Sequence, residues 1–237
     1  MAIDEWLLNQ NRLGQSPPVL RFYTWEPPAI SLGYHQRQWP EFWQNLTWRG
    51  QPVQLLRRPT GGRAVLHQGD LTYAVVTAAL PGRRLETYRA ICEFLIHGWQ
   101  VLGLNLSYGS AGRDYANRVN CFGLATGADL ILDNGYKLIG SAQLRRDQAV
   151  LQHGSMRLEP DAELYRQVFQ TEFSPDPHGI LAQIKLPSHP ELEGIAAIIQ
   201  ALTDAACECF QAKLTVQPLS LAELEQVRLY CEKFEIN

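Results

Sequence analysis

The chain has 237 residues, of which 46% are hydrophobic and 19% charged, with a formal net charge of −3. That length suits one large domain, or one domain with a small appendage, and buries a substantial core. No lysine/arginine block marks a nucleic-acid or lipid-surface partner, no apolar run reaches the roughly 18 residues needed to cross a bilayer, and the acidic start Met1–Trp6 is unlike a signal peptide, so a cytoplasmic protein without a membrane or nucleic-acid role is expected.

Residues 3–13 read as a first helix with Ile3, Trp6, Leu7 and Leu8 on its apolar side. Val19–Trp25 reads as a strand ended by Pro27-Pro28, and Ala29–Leu32 as a second, stopped by Gly33. Residues 35–51, polar and rich in tryptophan, predict a loop with a short helix. Val53–Arg57 is a buried strand broken by Thr60-Gly61-Gly62, and Leu71–Ala78 is another. Leu85, Tyr88, Cys92, Leu95, Trp99 and Leu102 recur at helical spacing. Ala128–Leu132 and Tyr136–Gly140 flank Asp133-Asn134-Gly135, a hairpin signal because both Asn and Gly tolerate positive φ. Ala149–Leu158 is the next strand. Residues 161–170 and 190–210 then predict helices, Leu214–Val216 a short strand, and Ser220–Lys233 a helix with Ser220 and Glu223 placed for a capping box. The fold class is α+β, with a mixed, mainly antiparallel sheet core and a mostly helical C-terminal part from about residue 161.

Five cysteines at irregular spacing argue against a disulfide framework. Cys207-x-Cys209 has no second pair to complete a zinc site, and no metal is expected. Cys92, Cys207, Cys209 and Cys231 fall in helical patterns, where a thiol serves as a small hydrophobe. Cys121, in Asn120-Cys121-Phe122-Gly123, lies outside any strong helix or strand pattern and is the most available nucleophile.

Three further segments are candidates for chemistry. In Arg57-Arg58-Pro59-Thr60-Gly61-Gly62-Arg63-Ala64-Val65-Leu66-His67, the paired glycines let a backbone approach a ligand and leave N–H groups for an anion or carbonyl oxygen. A plain hairpin bend has the same pattern, and a P-loop is excluded because a strand follows in place of a helix. Strand alternation sets Arg57 and Arg58 on opposite faces without saying which is inside. In Lys137-Leu138-Ile139-Gly140-Ser141-Ala142-Gln143, alternation puts Lys137 and Ile139 on one face, and the small residues beyond them keep space open; the plain alternative is a solvated hairpin lysine. His153, in Gln152-His153-Gly154-Ser155, is either a site residue or a satisfied strand histidine.

RRPTGGRAVLH followed by Asp70-Leu71-Thr72-Tyr73, and KLIGSAQLRR followed by VLQHGSMRL, resemble the two signature blocks of the lipoate/biotin protein ligase superfamily. YTWEPPAISLGYHQ and Ala2-Ile3-Asp4-Glu5 add to the likeness, which runs from about residue 2 to about residue 170. It implies one catalytic domain of that type over 1–237. Within the superfamily, Cys121-Phe122 ahead of the lysine block is most similar to the cysteine-dependent octanoyltransferases. The resemblance then implies transfer of a medium-chain acyl group from acyl carrier protein, through a Cys121 thioester, to a lysine of a lipoyl-domain protein (glycine cleavage H protein or an E2 subunit). Lys137 would activate the cysteine; Arg57, Arg58, Thr60, Gly61, Gly62, His67, Gly140, Ser141, Ala142 and His153 would bind substrate, with Leu55, Val65, Val75, Leu138 and Ile139 walling the acyl slot. No cofactor is implied. The alternatives are a lipoate ligase using ATP and magnesium, an amidotransferase between lipoyl domains, and a non-catalytic binding module.

Overall fold

The computed structural model describes residues 1–78, 83–109, 129–171 and 179–231, together with 234 and 236. Cys121 lies outside the described residues.

Among the described residues, the largest sheet has six antiparallel strands, β1 (Val19–Tyr23), β7 (Asp70–Ala78), β8 (Leu106–Tyr108), β9 (Asp129–Leu132), β10 (Lys137–Arg146) and β11 (Ala149–Arg157), in the order β1-β7-β11-β10-β9-β8. Strand β7 shows why these segments pair. Leu71, Tyr73 and Val75 belong to one core cluster, Ala74 and Val76 to another, so both faces are buried and the sequence reads as a continuous apolar run. One face packs on α2 (Arg84–Val101) and α5 (Gly194–Cys209) through Phe94, Leu95, Trp99, Ile198 and Leu202. At their crossing, a Cβ added to Gly98 would stand 2.7 Å from Leu202 Cδ2, so the absent side chain sets how closely the helices approach. The other face packs on α1 (Ala2–Arg12) and α6 (Leu221–Cys231) through Trp6, Leu7, Leu8 and Val227.

A smaller sheet joins β2 (Ala29–Leu32), parallel to β5 (Gln54–Arg57) and antiparallel to β6 (Val65–His67). It buries Ile30, Leu32 and Leu66 against α3 (Ala162–Phe169) and against Trp43 of a short 3-10 helix (Glu41–Asn45). Between these lie β3 (Thr47–Trp48) and β4 (Gln51–Pro52), and α4 (Ile180–Gln183) precedes α5. Both sheets and their flanking helices match the α+β expectation. Ser220 and Glu223 form the expected capping box: the Ser220 N–H donates to Glu223 Oε2 at 2.7 Å and the Glu223 N–H to Ser220 Oγ at 3.3 Å.

Three local expectations fail. Strand β5 is not a buried strand: Gln54 is exposed and Leu55, Leu56 and Arg57 are half-buried. Leu214–Val216 is not a strand: Val216 is almost fully exposed, and no strand pairs with it among the described residues. In the 133–136 turn only Gly135 takes positive φ, at 82°; Asn134 instead accepts the Tyr136 N–H on Oδ1 at 2.9 Å, an Asx turn.

Candidate active site

Two sequence blocks far apart in the chain meet through strand register. In the β10–β11 pair, Gly140 faces Ser155, Ser141 faces Gly154 and Ala142 faces His153. Over them lies the loop that follows β5. It folds onto the end of β2: the Tyr34 N–H donates to Thr60 O at 2.8 Å, and Gly33 passes so close that a Cβ there would sit 1.9 Å from Gly62 O. Between loop and sheet is a cavity of about 710 Å³. Arg58, Thr60, Gly61, Gly62, His67, Gly140, Ser141, Ala142 and His153 all line it.

Arg58 is the inward arginine. It is 4% exposed and donates to the backbone carbonyls of Ser31 (2.7 Å), Gly61 (2.9 Å) and Arg63 (2.7 Å). Arg57 is half-buried outside the cavity, held by Gly33 O and Gln36 O with its guanidinium over the Trp39 ring.

Both histidines are buried and bonded to hydroxyls. His67 meets Ser31 Oγ at 2.8 Å through Nε2 and Asp70 Oδ2 at 2.9 Å through Nδ1, and its ring stacks on Trp25 at 4.1 Å. Asp70 Oδ2 also accepts from Ser155 Oγ at 2.6 Å. His153 Nε2 meets Thr60 Oγ1 at 2.6 Å, and its Nδ1 lies 3.8 Å from Asp4 Oδ2. Burial lowers the pKa of His153 despite the Asp4 carboxylate beside it. The carboxyl of Asp4 is held well below the usual range: burial alone would raise it, but the Met1 ammonium, His153 and Arg21 together prevail.

Lys137 is not a solvated hairpin lysine. It is 5% exposed, and its Nζ lies 2.8 Å from Oδ2 of the equally buried Asp129, which lines the cavity. Lys137 itself stands behind that lining. A bulge in the β9–β10 register separates Lys137 from Ile139, and Leu138 and Ile139 both enter the main core, so simple alternation fails there. Of the expected slot walls only Val65 lines the cavity. Leu138, Ile139 and Val75 pack into the sheet–helix core, and Leu55 packs under the smaller sheet.

Several residues were not picked out from sequence. Ser31, Asp129, Tyr88 and Gly154 line the cavity, and Asp70 supports it. The three-residue step from His67 to Asp70 was a usable signal; Asp129 and Ser31 had none, since strand register and a bulge bring them in. Tyr88 and Tyr73 cluster with Ser141, whose Oγ accepts from the Tyr73 hydroxyl at 2.8 Å. Of the described cysteines, Cys92 is buried in α2 with its thiol pushed up to about 12, chiefly by burial, and Cys207, Cys209 and Cys231 sit on α5 and α6. None of the four lines the cavity.

The family model for the lipoyl protein ligase A/B catalytic domain matches residues 1–185. The chain belongs to that family. It is similar to Octanoyltransferase LipM of Lysinibacillus sphaericus, at 34% identity over 98% of this chain and 90% of the relative. To Octanoyltransferase LipM of Kyrpidia tusciae it is 38% identical over 69% of this chain, and that match spans 62% of the relative's length. Its fold is that of a crystal structure of lipoate-protein ligase A bound with ATP, with TM-score 0.73, 23% identity, and 98% and 88% of the two chains covered. It also matches a bi-partite lipoate protein ligase of Thermoplasma acidophilum described with its E2 lipoyl domain, with TM-score 0.67, 20% identity and coverage of 97% and 87%. Among the described residues, no helix is long and apolar enough to cross a membrane.

Proposed function

We propose that the chain is an octanoyltransferase of lipoyl biosynthesis, acting in the cytoplasm on carrier-bound acyl groups. It is an enzyme, an acyltransferase. In the first half-reaction the Cys121 thiolate attacks the thioester carbonyl of an octanoyl acyl carrier protein, a tetrahedral intermediate forms, and the carrier thiol leaves. In the second, the neutral ε-amine of a lipoyl-domain lysine attacks the Cys121 thioester, the amide forms, and the cysteine thiol is released. Thiol exchange is close to neutral and amide formation is downhill, so the reaction needs neither ATP nor magnesium.

The observation that carries the reading is the convergence of the two signature blocks on one cavity in a chain 34% identical to Octanoyltransferase LipM over nearly its whole length. A free thiol is only a few per cent ionised at neutral pH. Lys137, buried on the same strand as Gly140 and Ser141 and paired with Asp129, is the ammonium that would favour the thiolate. The N–H groups of Gly61 and Gly62 are the donors that would receive the oxyanion. Burying each methylene of the chain contributes about 0.8 kcal/mol.

The test is incubation with octanoyl carrier protein, without nucleotide or metal, followed by intact-mass measurement and peptide mapping. A hydroxylamine-labile octanoyl adduct on the Cys121 peptide, lost in Cys121→Ala, is expected. A strict nucleotide requirement, or an adduct on Cys92, Cys207, Cys209 or Cys231 with Cys121→Ala active, overturns the reading.

A further inference from the structure

Arg58 is a buried cation whose donors are spent on the protein. Its guanidinium ties the carbonyls of Gly61 and Arg63 to the carbonyl of Ser31 on β2. The third carbonyl of the loop, Thr60 O, is taken by the Tyr34 N–H. With those carbonyls turned toward β2, what remains on the loop for an incoming oxygen is its N–H groups; among the described residues neither Gly61 nor Gly62 has its N–H committed to a hydrogen bond. Arg58 is itself held from below. Its Nη1 also reaches Ser31 Oγ at 3.2 Å, Ser31 Oγ meets His67 Nε2, and His67 Nδ1 meets Asp70 Oδ2. All four residues are at most 4% exposed. In the His67 tautomer that donates from Nδ1 to Asp70, Nε2 accepts the Ser31 hydroxyl, and the Ser31 oxygen stays open to accept from Arg58.

We infer that Ser31, His67 and Asp70 are positioning residues which act through Arg58 to hold the Gly61-Gly62 N–H groups toward the cavity, and that neither Arg58 nor His67 touches the acyl substrate. This deepens the transferase reading and rests on it for the effect on rate. Donors aimed at an oxyanion act in the transition state more than in the ground state, so loosening them lowers kcat and leaves KM largely alone.

Two measurements on the full chain test the inference. Hydrogen exchange of Ser31→Ala and His67→Gln should show several-fold faster uptake at the Tyr34 and Arg58 amides, which bond across the loop–β2 seam to Thr60 O and Leu32 O. In octanoyl transfer, each variant should lose about 10- to 100-fold in kcat with KM within about twofold, and the double variant should be no worse than the weaker single, because both break one chain. Unchanged exchange at the Tyr34 and Arg58 amides, a raised KM with kcat intact for His67→Gln, or additive losses in the double variant would overturn it. Exchange needs no turnover. A wild-type chain that transfers nothing therefore sinks the transferase reading and leaves the clamp to be judged on exchange.

Discussion

Asp129 and Lys137 form an exacting pair at the residue scale. Their charged atoms are 2.8 Å apart and both side chains are 4% exposed. Breaking a buried ion pair by neutralising one partner costs about 3–5 kcal/mol. Asp129→Asn is therefore expected to lower the thermal unfolding midpoint by about 10 °C, measured by circular dichroism; a midpoint within about 2 °C of wild type would show that the pair is not needed. Lys137→Ala is expected to slow Cys121 acylation and to move the pH profile of its alkylation upward, because an ammonium near a thiol favours the thiolate. An unmoved profile would leave Lys137 without a role in activation. At this scale the sequence identified chemistry by wording. Arg58, Thr60, Gly61, Gly62 and His67 were nameable because they stand in one continuous block. Asp129 was not, since its meeting with Lys137 depends on a bulge that period-two counting cannot anticipate.

At the scale of elements, close approach substitutes for side chains at several crossings. A Cβ on Gly154 would stand 2.6 Å from Ser141 Oγ, 2.6 Å from Tyr73 Cε1 and 2.7 Å from Gly140 O, and the last of these is backbone. Gly154→Ala should thus force β10 and β11 apart beneath the cavity and destabilise by about 1–3 kcal/mol, read as a lower urea midpoint. An unchanged midpoint together with unchanged transfer would refute the crowding argument. Element types were legible where local signals were strong: α2 from six apolar positions at helical spacing, β7 from its apolar residues, α6 from its capping box. Pairing partners were not. Nothing in Ala29–Leu32 announces that it will lie between β5 and β6 and carry Ser31 to His67, because register is settled by long-range packing.

At the scale of the whole molecule, the two larger sheets are joined through buried titratable groups, and acid should reveal them. An unfolded imidazole titrates near about 6.5. His153 has a lower value in the fold, where it sits among Asp4, Arg58 and the Met1 ammonium. As pH falls through about 6.5 the unfolded chain takes up a proton that the folded chain declines, so stability drops. Asp4 acts later. Its folded carboxyl is depressed, so its contribution is present above about 3.9 and is lost as pH falls below it. Urea midpoints against pH are expected to fall in two stages, and His153→Gln should abolish the first while keeping the second; a first stage unaffected by that change would assign it elsewhere. The α1–α6 contact gives this joint a longer reach. Helix α6 lies beyond the residues 1–185 that match the family, lines no part of the cavity, and still grips α1 through Val227, through Gln226 on Trp6 and through Tyr230 on Asn9. From α1, Asp4 faces His153, and His153 holds Thr60 of the loop. Substitutions along the C-terminal segment are therefore expected to reach the Thr60 loop through α1 and His153 while every cavity-lining residue stays the same.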